Sequence, residues 1–322
     1  MLVLSRRDVE TVLDPDRLVD AVGRAMADLS AGSASVPNRT AAEVEDAGGV
    51  LIAMPAYLPS EGALAAKLVS LFPGNAGLGL PTHHAVVATF DRATGAPTAL
   101  LDGELITAMR TAACSALSAK LLAREDAAVL AVLGTGVQAR AHARALPRVR
   151  GIREIRVAGR DPENVAALAR ELDGRPCDAY HEAVEGADIV CACTHSPEPV
   201  VRGAWLRPGA HVTSVGFNPS GREVDAEAIA RSLLVVESRA AALAPYPAGS
   251  NDLLWAIRDG AVGPDPVHAE IGELVAGTRP GRTSPEEVTL YKSVGVAAQD
   301  AAAAALVLEA ARASGVGTEV QL

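Results

Sequence analysis

The chain has no uninterrupted apolar run approaching the roughly 18 residues that a membrane-spanning helix requires. Its opening residues, Met1-Leu2-Val3-Leu4-Ser5-Arg6-Arg7-Asp8, lack the order of a secretory signal. A span is not expected, and a cytoplasmic location is. Cysteine is scarce: Cys114, Cys177, Cys191 and Cys193 are four in 322 residues, too few for a disulfide framework. Cys191 and Cys193 alternate on a predicted strand at 188–193, so both point to one face. No second pair with ligand spacing accompanies them, and they read as small buried hydrophobes, so no metal centre is expected. Basic charge is also short. The net charge of −10 is spread along the chain instead of gathered in a tail, which excludes a nucleic-acid surface. Neither an internal repeat nor a nucleophile elbow for Ser/His/Asp catalysis is present.

What remains, 49% hydrophobic and 21% charged residues, suits two ordinary domains. The most informative segment is Ala127-Ala128-Val129-Leu130-Ala131-Val132-Leu133-Gly134-Thr135-Gly136-Val137-Gln138-Ala139. A strand buried on both faces stops at Gly134, which permits the tight turn. Gly136 leaves the backbone bare for a pyrophosphate at a helix N-terminus, and Ala139 takes the third small position. A helix to about Pro147 and a strand at 155–158 close a βαβ unit within about thirty residues, the context a dinucleotide fingerprint needs. Strands near 127–133, 155–158, 188–193, 210–215 and 233–237 alternate with helices, the parallel-sheet rhythm.

The segment before this unit reads differently. Ser5 and Asp14 are placed to cap two helices, the second from about Pro15 to Leu29. Strand patterns follow at 49–54, 63–70, 85–90 and 98–101, with Asp91 to Pro97 as a hairpin connection, so this region is antiparallel. An alanine-rich helix from Gly103 to Leu122 bridges the two domains, and another from Ser293 to Gly315 returns to the first. The fold class is α/β: a Rossmann parallel-sheet domain (120–292) plus an α+β domain (1–119 with 293–322).

Three cations stand out in the α+β part. Lys67 interrupts Leu64-Ala65-Ala66-Lys67-Leu68-Val69, either as an outward lysine on a half-exposed strand or as a pocket residue. Arg110 is the one charge in Leu105-Ile106-Thr107-Ala108-Met109-Arg110-Thr111-Ala112-Ala113, whereas Arg39, after Val36-Pro37-Asn38, is less unusual and on pattern alone reads as a surface residue. Beside a dinucleotide, two arginines and a lysine suggest a pocket for a small carboxylate. His83 and His84 lack a third ligand and read as structural or pocket-lining.

These residues resemble the ornithine cyclodeaminase/mu-crystallin family of NAD(P)-dependent enzymes, which includes an alanine dehydrogenase branch. The carriers, in order over nearly the whole chain, include Val36-Pro37-Asn38-Arg39, Met54-Pro55-Ala56-Tyr57, Ala66-Lys67-Leu68-Val69 and Pro81-Thr82-His83-His84-Ala85. Leu101-Asp102-Gly103, Ile106 to Ala113, Gly134 to Ala139 and Lys292-Ser293-Val294-Gly295 continue the series. The resemblance implies a substrate-binding and dimerisation domain, a Rossmann domain, a closing C-terminal helix and a homodimer. It also implies that Arg39, Lys67 and Arg110 hold the substrate carboxylate while Thr111 and the turn Gly134, Thr135, Gly136, Val137, Gln138, Ala139 approach the cofactor. Thr194, following the strand at 188–193, completes the expected cofactor-binding set.

Departures from the family pattern bear on the reaction. Cyclodeaminases carry an aspartate shortly before a proline in a late Rossmann loop, where this chain has Gly216-Phe217-Asn218-Pro219. Asn218 can orient an amine or water but cannot accept a proton. The glutamate they carry ahead of Met-Pro is also missing, since Leu51-Ile52-Ala53 stands there. The pattern fits a ketimine or cyclic imine reductase, or an amino-acid dehydrogenase, with Lys67, Arg39, Arg110 and Asn218 at the reacting end. An ornithine or lysine cyclodeaminase forming proline or pipecolate, with Asn218 or Asp225 replacing the aspartate, is the alternative. A non-catalytic NADPH-binding crystallin-like protein is the third reading. Gly159 and Arg160 stand where an acid would bind the ribose hydroxyls, which favours NADP(H) over NAD(H), tempered by the nearby Asp161. The partner is a small carboxylate-bearing imine, keto acid or amino acid.

Overall fold

Ser5 and Asp14 cap the first two helices of the computed structural model, which describes residues 1–245 and 248–321. After β1 (Leu2–Leu4) come α1 (Arg6–Val12) and α2 (Pro15–Ser30). Asp14 accepts from the backbone N–H of Asp16 and Arg17, a cap worth about 1 kcal/mol. Then β2 (Thr40–Val44), β3 (Gly49–Leu58), β4 (Ala63–Leu71), β5 (His83–Phe90) and β6 (Pro97–Asp102) run as an antiparallel meander. The β5–β6 connection closes through Asp91, whose carboxylate accepts from the N–H of Ala93 and Thr94. Along β4, Ala63, Ala65, Lys67 and Val69 are buried while Leu64, Ala66, Leu68 and Ser70 face the other way. Asp102 then accepts from Leu105 N–H and starts α3 (Gly103–Leu122).

The second sheet is parallel throughout. It is built from β7 (Val129–Leu133), α4 (Val137–Ala145), β8 (Glu154–Ala158), α5 (Pro162–Glu171), β9 (Arg175–Pro176), α6 (Tyr180–Val184), β10 (Ile189–Ala192), β11 (His211–Ser214), α7 (Ala226–Arg231), β12 (Ser232–Val236), α8 (Arg239–Ala242), α9 (Asn251–Arg258), β13 (Ala269–Glu270), α10 (Ile271–Val275) and β14 (Val288–Lys292). The strand order is β13-β12-β14-β11-β10-β7-β8-β9. From β7 the chain steps outward to β8 and β9, then returns to the other side of β7 as β10. Strand order therefore reverses between β7 and β10, the place where such sheets bind ligands beyond the carboxyl ends of their strands. The sequence reading missed β14, a fully buried strand inserted between β11 and β12.

The chain ends with α11 (Ala297–Ser314) and β15 (Thr318–Glu319). Helix α11 is apolar nearly all round and lies against α2, β3 and β4, as an apolar helix must. It starts four residues later than expected. The first sheet has the order β15-β1-β6-β5-β4-β3-β2, with β1 parallel to β6.

Contacts divide the chain into Met1–Arg110 with Val296–Leu322, and Thr111–Gly295. The expected boundaries at 119/120 and 292/293 are thus displaced. Ser115 and Ser118 of α3 hydrogen-bond within the second unit, to His142 and His211, and Glu237 there accepts from Val294 N–H and Gly295 N–H. Counting uninterrupted apolar runs also passed over α3. By length and composition alone this helix could cross a membrane, but its most apolar stretch is 78% buried within the protein, which marks a core helix.

Candidate active site

In the first unit, strand alternation turns Lys67 to the buried face, and only 3% of the residue is exposed. The outward reading of this lysine is overturned. Its Nζ lies 3.0 Å from Asp300 Oδ1 and 2.9 Å from Oδ2. Arg110, also buried, donates from Nε to the same Asp300 Oδ1 at 3.0 Å and from Nη1 to Gln299 Oε1. Two cations therefore share one carboxylate. Burial pushes the Lys67 ammonium down to about 8, with the charges of Arg110 and Arg39 adding to the fall and Asp300 opposing it. Burial works to raise Asp300, but Arg110 and Lys67 outweigh it and hold the carboxyl below its usual range. Arg39 is half-buried in the segment before β2. His83 is kept below the usual imidazole range by burial and then by Lys67, so it is neutral at pH 7, whereas His84 pairs with Glu104 at 3.0 Å.

Asp300 and Gln299 escaped the sequence reading. Asp300 is the sole charge between Lys292 and Glu309, on a helix with no polar face, a signal of the kind that singled out Arg110. An acid in the first turn of a helix also complements the helix dipole, so this position alone does not mark a site residue.

In the second unit, Gly134 has φ of 112° and donates its N–H to Ala158 O. A Cβ there would stand 2.6 Å from Cys193 O, so the turn after β7 and the end of β10 touch at the strand reversal. Gly136 differs. It is the N-cap of α4, makes no side-chain cap bond, and a Cβ on it would meet nothing within 4 Å. The first N–H groups of α4 thus open onto bare space beside Thr135, Val137 and Gln138, a fit for a dinucleotide pyrophosphate. Ala139 packs inward with no exposure. Arg160 is exposed just past the end of β8, and Asp161 caps α5 by accepting from Glu163 N–H and Asn164 N–H. Thr111 is buried on α3. Thr194 follows β10 and gives both its N–H and its hydroxyl to Glu223, at 2.6 and 2.7 Å.

Asn218 is committed to its own loop: Nδ2 donates to His195 O and Oδ1 accepts from Ser220 N–H. Asp225 is the N-cap of α7. Glu223, Asp252 and Lys292, none of them singled out beforehand as site residues, form a second buried charged cluster. Cys191 and Cys193 do share a face, with their sulfurs 3.4 Å apart. His142 of α4 joins them, the ligand-type atoms lying within 4.8 Å of one another, a third member that sequence spacing could not reveal. Both ring nitrogens of His142 are already engaged, by Gln138 O and Ser115 Oγ, and burial raises the Cys193 thiol well above its ordinary value.

The model of the ornithine cyclodeaminase/mu-crystallin family matches residues 1–315. The chain is similar to the ketimine reductase mu-crystallin of Mus musculus, 38% identical over 298 residues that cover 91% of each chain. Among solved structures, the Thermococcus litoralis Δ1-pyrroline-2-carboxylate reductase in complex with NADH and L-proline superposes with a TM-score of 0.93 at 40% identity. It covers 99% of this chain and 100% of its own. An archaeal alanine dehydrogenase dimer with bound NAD gives 0.90 at 32% identity, covering 100% of this chain and 99% of its own.

Proposed function

We propose, from the premise that this chain belongs to the ornithine cyclodeaminase/mu-crystallin family and is a nicotinamide-dependent oxidoreductase, that it reduces the C=N bond of a small imino acid to the amino acid. The observation that carries this reading is the buried Lys67–Asp300–Arg110 cluster. Two cations against one carboxylate leave positive charge for an anion, and Arg39 adds to it. Arg110 and Arg39 hold the substrate carboxylate. Lys67 Nζ, poised near 8, gives a proton to the imine nitrogen and regains one from solvent, while Asp300 keeps its ammonium in place. A reduced nicotinamide cofactor, its pyrophosphate held by the first N–H groups of α4 after Gly136, would supply the hydride to the carbon. Hydride and proton together balance the conversion of imine to amine.

Screening cyclic imino acids, keto acid plus amine pairs and amino acids for changes in nicotinamide absorbance tests the reading. Oxidation of the reduced cofactor by a carboxylate-bearing imine supports it. Release of ammonia from ornithine or lysine without added reductant would replace it by the cyclodeaminase reading, which the engagement of Asn218 and Asp225 in loop and cap contacts disfavours.

For the cofactor we favour the phosphorylated form. Arg160 is exposed just past β8, where it can meet a 2′-phosphate, and Asp161 is spent on its cap instead of standing ready for ribose hydroxyls. A clear preference for NADH over NADPH in direct binding would refute this. We also assign self-association to the uncovered side of the antiparallel sheet. Leu51, Leu68 and Val86 are 46%, 40% and 38% exposed there, with Leu68 in register with Val86, an apolar patch suited to a second copy of the chain.

A further inference from the structure

The loops after β10 and β11 are fastened to one buried carboxylate, and the geometry points to Glu223 as the positioning residue of the nicotinamide half of the crevice. The inference rests on the nicotinamide-dependent reading and deepens it. Glu223 Oε1 accepts from Thr194 N–H (2.6 Å) and Thr194 Oγ1 (2.7 Å), and Oε2 accepts from Ser214 Oγ (2.7 Å) and Gly216 N–H (2.9 Å). The residue is 3% exposed and no cation touches its carboxylate among the described residues. Four donors from two loops converge on it, so every one of its lone-pair directions is used.

Its neighbours tighten the same place. Lys292 Nζ donates to Ser214 Oγ (3.0 Å) and Gly216 O (2.7 Å), and it pairs with Asp252 at 3.0 Å. Asp252 in turn accepts from the backbone N–H of Glu223 and Val224, each at 2.7 Å. Both backbone groups of Gly216 are thereby pinned. A side chain at this glycine would collide with the Glu223 carboxylate and with Thr194 O.

The location gives the cluster its meaning. Sheets of this kind hold the two halves of a dinucleotide on either side of the strand reversal. Here the Arg160 side lies beyond β8, so the nicotinamide half belongs beyond β10 and β11, where Thr194 and Gly216 stand. A carboxylate buried without a direct cation is an expensive way to stabilise a fold, which apolar packing would do as well. It is an effective way to fix two loops relative to each other, because all its partners are donors and an amide in its place would turn an N–H₂ toward them.

Glu223→Gln is therefore expected to lower kcat for imine reduction about 100-fold at saturating cofactor and imine. The dissociation constant of the reduced cofactor, read by its fluorescence, should rise less than about fivefold, because the pyrophosphate and adenosine contacts remain. The deuterium isotope effect on kcat, with the cofactor labelled at the transferred position, should increase as hydride transfer becomes limiting. Thr194→Val, which removes only one of the four bonds, is expected to cost about tenfold in kcat and carries the test if Glu223→Gln does not fold. A folded Glu223→Gln protein, or a Thr194→Val protein, with kcat and isotope effect within twofold of wild type would overturn the inference. A wild-type protein that binds neither NADH nor NADPH would instead overturn the reading beneath it.

Discussion

The Lys67 and Glu223 clusters, both buried and charged, are finished to different degrees. Around Glu223, Asp252 and Lys292, three charged groups sit among backbone amides, hydroxyls and a carbonyl, and each donor or acceptor has a counterpart. Around Lys67, Arg110 and Asp300, an ammonium with three protons has, among the described residues, a single hydrogen-bonding residue, Asp300, which it shares with a guanidinium. A saturated cluster can only hold its surroundings in place. An unsaturated cationic one waits for an anion, and this contrast is why binding is assigned to the first unit's cluster and positioning to the second's.

The contrast can be attacked directly. Arg110→Met, which removes the shared cation and leaves Asp300 with Lys67 alone, should reduce kcat/KM for an imino acid about 10³-fold, mostly through KM, while a melting curve still shows a cooperative transition. An equal loss for a substrate ester lacking the carboxylate charge would show that Arg110 does not hold that group. The two glycines of the turn should separate fold from ligand. Gly134→Ala, at positive φ and against Cys193 O, is expected to cost about 2 kcal/mol of stability by denaturant titration. Gly136→Ala, with φ of −83° and open space around it, should leave stability within about 0.5 kcal/mol and weaken cofactor binding about tenfold. Equal behaviour of the two would contradict the cradle. The smallest effect on chemistry belongs to the sheet face: Leu68→Arg should shift light scattering toward a monomer with little change in cofactor affinity.

Much of this is legible in the sequence. The βαβ unit around Gly134, the antiparallel run from β3 to β6, and the caps Ser5 and Asp14 follow from local pattern, because in each case the residues that signal the element also form it. Strand β14 did not, since Thr289, Tyr291 and Lys292 make a buried strand look polar. Their partners His211, Cys114 and Asp252 lie far away in sequence, so nothing local reveals that these groups are satisfied. The same holds for the site. Lys67 and Arg110 could be singled out as charges in apolar company, but the carboxylate that joins them comes from a helix some 190 residues beyond Arg110. A pairing of that range is a property of tertiary packing.

The measurement that reaches the centre of the account is the pH dependence of imine reduction in the wild type and in Lys67→Met, at saturating cofactor. With Lys67 as proton donor and its ammonium lost above about 8, the wild-type rate should hold below that pH and fall about tenfold per unit beyond it. Lys67→Met should be at least about 100-fold slower, bind cofactor normally and show no such bend. A Lys67→Met protein that keeps both the rate and the bend would contradict the assignment of the proton to this lysine.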